Sequence, residues 1–288
     1  ATLNAERGRY EIHGVMGPDE FHEGYPGAAK PGLNNNAYTN IMAVWVLCRP
    51  LHVLDVIPAI RRAELITRLE LSADEIARWD DISRRMYVPF HADGIISQFE
   101  GYEKLQDLDW DTYRKRYGNI QRLELILEAE NDSANRYKVS KQADVLMLFY
   151  VFSAEELGEL FGRLGYRLDH ETIPRNVAYY DCRSSHGSTL SRVVHSWVMA
   201  RSNRQRAMRY FADCGATVIR IESSRRLDVC RTLTPFLGNE IGAENAAVFH
   251  NANFGKRMLT LDPSKPEGRA LVLDLVRWAD VVCESFSP

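Results

Sequence analysis

Two acidic residues, a histidine and a further acid crowd into Asp19-Glu20-Phe21-His22-Glu23. They sit in a turn shaped by Gly14, Gly17, Pro18 and Gly24, and Asn34-Asn35-Asn36-Ala37-Tyr38-Thr39-Asn40 follows at the start of a helical stretch. A carboxylic acid that donates a proton near neutral pH needs a fixed position and a raised pKa. A turn built from glycine and proline at the mouth of a helical scaffold can supply both. The same composition also suits a solvated acidic loop.

Two further clusters bear on chemistry. Lys141-Gln142 opens the strongly apolar stretch Ala143 to Phe152, where an ammonium and an amide at a helix entrance can hydrogen-bond several sugar hydroxyls. Ser184-Ser185-His186-Gly187-Ser188-Thr189 comes immediately before a helix at Leu190. Glycine lets a backbone approach an anion, and hydroxyls with the free N–H groups of a helix N-terminus can hold its oxygens. An ordinary N-cap, with Ser188 or Thr189 serving the helix alone, accounts for the same residues. His195 on the following helix either adds charge to an anion site or is a satisfied core histidine. No ligand spacing suggests a metal site.

The elements that must hold these groups change character along the chain. Up to about residue 212 the pattern predicts helices with no strand. Ser72 with Glu75 and Ser153 with Glu156 are spaced as capping boxes ahead of apolar stripes. Leu190, Val193, Val194, Trp197 and Val198 form a third stripe, read as core. Pro50 interrupts the helix carrying Ile41, Trp45 and Val46, which predicts a kink or an end at Arg49. Beyond Cys214 the period switches. Ala216 to Ile221 and Met258 to Leu261 read as strands, Ser264 with Glu267 as a capping box with Pro266 in the first turn, and Val281-Val282-Cys283 as a third strand.

The phrase from His13 to Asn40 resembles the general-acid loop of glycoside hydrolase family 65, the maltose, trehalose and kojibiose phosphorylases. Lys141-Gln142-Ala143-Asp144 is similar to that family's glucose-subsite motif, and His186-Gly187-Ser188-Thr189-Leu190-Ser191 with His195 to its phosphate loop. The stretch Asp93-Gly94-Ile95-Ile96-Ser97-Gln98-Phe99-Glu100-Gly101-Tyr102 is family-like too. The resemblance implies that Glu20 is the acid, that Lys141 and Gln142 bind sugar, and that His186, Gly187, Ser188, Thr189 and His195 bind phosphate. It implies an (α/α)6 barrel over residues 1–211, of which about half is expected here, with apolar inner faces left exposed. Family hydrolases place a catalytic base where this loop has Ser and Thr, so the resemblance favours phosphorolysis. Phosphate is already a nucleophile and needs no base.

Residues 212–288 resemble class III CoA-transferases through Gly215 to Glu222, Gly255 to Asp262, Pro266 to Ala270 and Ala279 to Val282. That resemblance implies a small, incomplete Rossmann-like α/β unit in which Arg225, Arg226, Lys256 and Arg257 meet the phosphates of CoA. Scattered surface cations are the plainer reading. The family's nucleophilic aspartate would lie beyond this stretch.

With 288 residues and a formal charge of −3, the chain is long enough for two units and carries no basic run suited to nucleic acid. Its longest apolar stretch, Val145 to Phe152, is too short to span a membrane. The cysteines show no CxxC spacing and read as reduced cytosolic thiols. The sequence thus predicts a mainly helical, cytoplasmic phosphorylase-like piece of something larger, acting on sugar and phosphate without a cofactor. Exposed apolar helix faces suggest self-association. CoA transfer by the C-terminal part, and a non-catalytic fusion, are the competing readings.

Overall fold

A computed structural model describes residues 1–91, 94–169, 171–200, 204–223, 225, 227–253 and 255–282. The chain divides into a unit over Ala1–Ser191 and a second over Arg192–Pro288. It is mainly helical, but strands are not confined to the second unit. β1 (Thr2–Asn4) and β2 (Arg9–Glu11) form an antiparallel hairpin, and β3 (Phe90–His91) and β4 (Ile95–Ile96) form another. The β3–β4 hairpin overturns the expectation of an unbroken helical first half. Side chains of a helix complete it: Asn176 accepts from the Ile96 N–H at 2.8 Å, and the Tyr180 hydroxyl donates to the Ile96 carbonyl at 2.5 Å. A ladder this short leaves no period to read. Gly94, at φ 71°, closes its turn, while Ala92 and Asp93 lie outside the described residues.

The first unit is otherwise built from α1 (Ala37–Val56), α2 (Ala59–Arg68), α3 (Ala73–Arg85), α4 (Trp110–Tyr117), α5 (Leu123–Ala129), α6 (Asp144–Val151), α7 (Ala154–Arg163), α8 (Thr172–Asp181) and the start of α9 (Thr189–Ala200). The caps of α3 and α7 form as expected, with Ser72 accepting from the Glu75 N–H and Ser153 from the Glu156 N–H, both at 3.1 Å. Glu156 does not reach back to complete a box; its carboxylate accepts from the Trp45 indole at 3.0 Å. Apart from Asp144, α6 is apolar around its whole circumference, and this is why it lies inside, packed by α1, α7 and α8. A second cluster joins Phe21 to Leu108, Leu123, Leu127 and Val139.

α1 does not end at Arg49; it continues through Pro50 to Val56. The proline ring leaves the Val46 carbonyl without its helical N–H, at a residue on the exposed side of the helix. Trp45 and Arg49, just before the proline, are both tied to Glu156 of α7. α9 also departs from expectation. Val194 and Val198 are buried, whereas Leu190, Val193 and Trp197 are exposed. The five apolar positions of this helix therefore divide between a buried and an exposed face instead of forming one core stripe.

In the second unit, α10 (Arg204–Asp213) precedes β5 (Ile219–Glu222), which pairs in parallel with β6 (Arg257–Thr260), Ile219 opposite Arg257. α11 (Ala247–Asn253) lies in the connection, around a small core of Cys230, Ala246 and Phe249. α12 (Pro266–Trp278) starts at Pro266 as expected but without a capping box, because Ser264 turns back to Asp262 instead. None of the side chains of α12 is buried. Val281 and Val282 form no strand, and Cys283 lies outside the described residues.

Candidate active site

The acid loop is anchored by a carboxylate that the sequence reading passed over. Asp19 is buried, and its side chain accepts from the Lys141 N–H at 3.0 Å, the Gln98 amide at 2.7 Å and His22 Nδ1 at 2.8 Å. Its own N–H donates to Asp144 at 2.5 Å. Asp144 also accepts from the Asn36 amide, and Asn36 in turn caps α1 by accepting from the Thr39 N–H at 2.9 Å. Gln98 closes the circuit by accepting from the Asp144 N–H at 3.3 Å. Burial pushes the Asp144 carboxyl well above the ordinary carboxylate range, and the charge of Asp19 pushes the same way; the Asn36 and Asp19 donors oppose both. Residues from three stretches named separately in the sequence (13–40, 93–102 and 141–144) therefore meet in one buried polar knot.

Glu20 points away from that knot. Its side chain is 60% exposed and ion-paired with the Lys141 ammonium, which is largely covered. Gln142 is fixed at both ends of its amide, donating to the Pro18 carbonyl at 3.1 Å and accepting from the Ser188 hydroxyl at 2.9 Å. Ser188 is at the same time the cap of α9, accepting from the Ser191 N–H at 3.2 Å. The N-cap expected at this helix start is therefore formed by Ser188, and the same hydroxyl also donates to Gln142.

The backbone aligns the two motifs. Ser140 and Ser184 form a parallel bridge, with Ser140 N–H donating to the Arg183 carbonyl and Ser185 N–H to the Ser140 carbonyl, both at 2.9 Å. Lys141 and the 184–189 loop therefore leave this bridge side by side. A Cβ at Gly187 would overlap the Gln121 carbonyl, so this close approach of backbones needs glycine there. His186 adopts φ 54°, and its Nδ1 lies 3.1 Å from the Ser191 hydroxyl. Thr189 opens α9, but its side chain lies outside the described residues. His195 is buried in α9, edge-on to Tyr210 with ring centroids 5.7 Å apart. A separate cavity of about 600 Å³ by Thr2, Tyr10, Arg78 and Asp81 contains none of these groups.

Several described cations of the second unit already have partners. Arg225 is exposed and 3.7 Å from Asp262. Lys256 is half-buried, with its ammonium 3.4 Å from the Asn253 amide oxygen; burial and nearby Arg220 lower its pKa. Arg257 stands exposed on β6, and Arg226 lies outside the described residues. Arg231, absent from the expectations, is buried between Glu222 at 2.9 Å and Glu244 at 2.8 Å, over the ring of Phe249.

Comparison with known proteins gives two family matches. The glycosyl hydrolase family 65 central catalytic domain matches residues 1–224, and CoA-transferase family III matches residues 205–288. An uncharacterized glycosyl hydrolase of Mycobacterium tuberculosis is 61% identical over 211 residues, covering 73% of this chain and 16% of that protein. A trehalose 6-phosphate phosphorylase of Lactococcus lactis is 35% identical over 66% of this chain and 23% of its own length. A kojibiose phosphorylase of Halothermothrix orenii is 31% identical over 90% of this chain and 30% of its own. The chain thus spans less than a third of the length of these relatives. Among solved structures, a putative kojibiose phosphorylase from the human microbiome superposes with a TM-score of 0.57 over 73% of this chain and 26% of that one, at 22% identity, which is a likeness of fold. Because its central catalytic domain accounts for most of the sequence, the chain belongs to glycosyl hydrolase family 65.

Proposed function

We propose that residues 1–211 carry part of the active site of an inverting disaccharide phosphorylase, on part of an (α/α)6 barrel. Glu20 gives its proton to the glycosidic oxygen. A phosphate oxygen attacks the anomeric carbon from the opposite face, the glycosidic bond breaks, and its electron pair leaves with the departing sugar, which keeps the proton. The products are β-glucose 1-phosphate and glucose. Lys141 and Gln142 hold the sugar, while Gly187, Ser188, Thr189, His186 and His195 hold phosphate. Since Glu20 is paired with Lys141 in the free protein, a sugar hydroxyl must take the ammonium before Glu20 can act as an acid.

The observation that supports this reading best is the pair of contacts Glu20–Lys141 and Gln142–Ser188. They join the acid, the sugar pair and the anion loop side chain to side chain, although more than a hundred residues separate the acid from the rest in sequence. The phosphorylases among the relatives differ in the disaccharide they are named for, so the linkage is left open.

The test is release of β-glucose 1-phosphate from maltose, trehalose or kojibiose with inorganic phosphate. Positioning accounts for roughly 7–11 kcal/mol of such a barrier. The chain corresponds to less than a third of its relatives' length, so the expected result for it alone is no measurable turnover. Turnover abolished by Glu20→Gln would show the site to be complete. Turnover indifferent to Glu20→Gln would end the phosphorylase reading. The family III match and the parallel β5–β6 pair favour a second reading, CoA transfer by a Rossmann-like unit over residues 212–288, in which Arg225, Lys256 and Arg257 would meet CoA.

A further inference from the structure

Asp19 stands next to Glu20 in the chain, yet the two side chains live in opposite surroundings. The side chain of Asp19 is 1% exposed and that of Glu20 60%. The proposed chemistry uses only Glu20. Asp19 instead has donors on both oxygens: the N–H groups of Lys141 at 3.0 Å and Phe21 at 3.3 Å on one, His22 and Gln98 on the other. His22 is oriented from its far side, where Nε2 lies 3.0 Å from the Tyr137 carbonyl, a group that can only accept. Both ring nitrogens thus face acceptors, and the imidazole is packed edge-on against Phe99 and Tyr102. The aspartate cannot turn without undoing several contacts at once.

These contacts form a closed ring. Asp19 and Glu20 are joined by a peptide bond; the Lys141 backbone is held by Asp19 and the Lys141 side chain by Glu20. We propose that Asp19 is the positioning residue of the acid: its buried carboxylate sets the place of Glu20 relative to Lys141, and His22 and Gln98 keep that carboxylate still. The role in rate rests on the phosphorylase reading, but the geometric role does not. An amide in place of the carboxylate would have to turn its NH2 either toward the Lys141 N–H or toward the His22 and Gln98 donors. One side of the ring would lose its acceptor in either orientation.

Lysine acylation in the full chain, read at Lys141 by mass spectrometry with exposed Lys115 as internal reference, tests the geometry without turnover. Glu20→Gln should raise the Lys141 rate by about threefold, the scale of a half-exposed ion pair. Asp19→Asn should raise it as much, with Lys115 unchanged. Lys141 remaining as protected in Asp19→Asn as in the wild type, while Glu20→Gln frees it, overturns the proposal. So does a Glu20→Gln variant that frees nothing. Should Asp19→Asn lose its folded circular dichroism spectrum, Gln98→Met decides, because at similar volume it removes one donor to Asp19, together with the long 3.3 Å contact from the Asp144 N–H. A partial rise at Lys141 is expected there, and no rise overturns the idea. Where the wild type turns over, Asp19→Asn should lower kcat by about a hundredfold with KM nearly constant, as a misplaced group does; a change in KM alone counts against positioning. A wild type without turnover is the result already expected for this chain, and the labelling result then decides this proposal alone.

Discussion

A methyl group at position 17 would fall on the Asp144 carboxylate and the Asn36 amide. Gly17 is thus a glycine for reasons of space, and the space belongs to the polar knot under the acid loop. Gly27 differs: its φ is +72° and nothing lies within 4 Å of a Cβ there, so its cost is conformational alone. Gly17→Ala should destabilise the chain by about 2–4 kcal/mol, combining overpacking with broken buried hydrogen bonds, whereas Gly27→Ala should cost about 1 kcal/mol. Urea denaturation of both variants checks this, and equal losses would mean that the knot is not packed as described. Gly187→Ala extends the argument to the anion loop, where the obstacle is the Gln121 carbonyl. It should disturb the Gln142–Ser188 contact as well as stability.

At the scale of elements, α1 runs on through Pro50, and the turn before the proline is tied to α7 through Trp45 and Arg49. Pro50→Ala restores the missing N–H and should stabilise the chain by about 1–3 kcal/mol, while Ser72→Ala should remove about 1 kcal/mol with the α3 cap. A lower thermal midpoint for Pro50→Ala would show that the proline is matched to its surroundings rather than merely endured. The caps of α3 and α7 were legible in the sequence because capping is local. Whether α1 ended at Pro50 or ran on through it was left open by the sequence, and Glu156, to which Trp45 and Arg49 are tied, lies on another helix. The β3–β4 hairpin was hidden for the same reason: Asn176 and Tyr180 of α8 complete it. The site shows this division most clearly. Glu20, Lys141, Gln142 and Ser188 could be picked out by residue type and motif. Asp19, His22, Gln98 and Asp144 lay inside the same motifs, but their role depends on burial, which no local pattern records. The one available signal was Asp144, a charge at the head of a wholly apolar helix.

At the scale of the molecule, what stands out is apolar surface on the outside of helices that are otherwise well formed. In the first unit, Val46 and Val56 of α1 are 54% and 60% exposed, and Ile60 of α2 follows at 76%. In the second, Leu271 and Trp278 of α12 are 53% and 63% exposed. Single exposed apolar residues are ordinary, but a helix that is apolar on more than one face normally has a partner on each. In α1, Ile41 and Val44 are buried while Val46, Val53 and Val56 face outward. We expect the isolated chain to self-associate through such faces, with sedimentation velocity showing an average mass that rises with concentration in the micromolar range. Val53→Glu with Val56→Glu, and separately Leu271→Glu with Trp278→Glu, should each shift the distribution toward monomer, since a charge on an exposed helix face costs little stability but opposes burial against a partner. If only one pair acts, that unit alone supplies the contact. A wild-type chain that stays monomeric throughout this range would mean that these faces, although apolar, are too small or too interrupted to drive association.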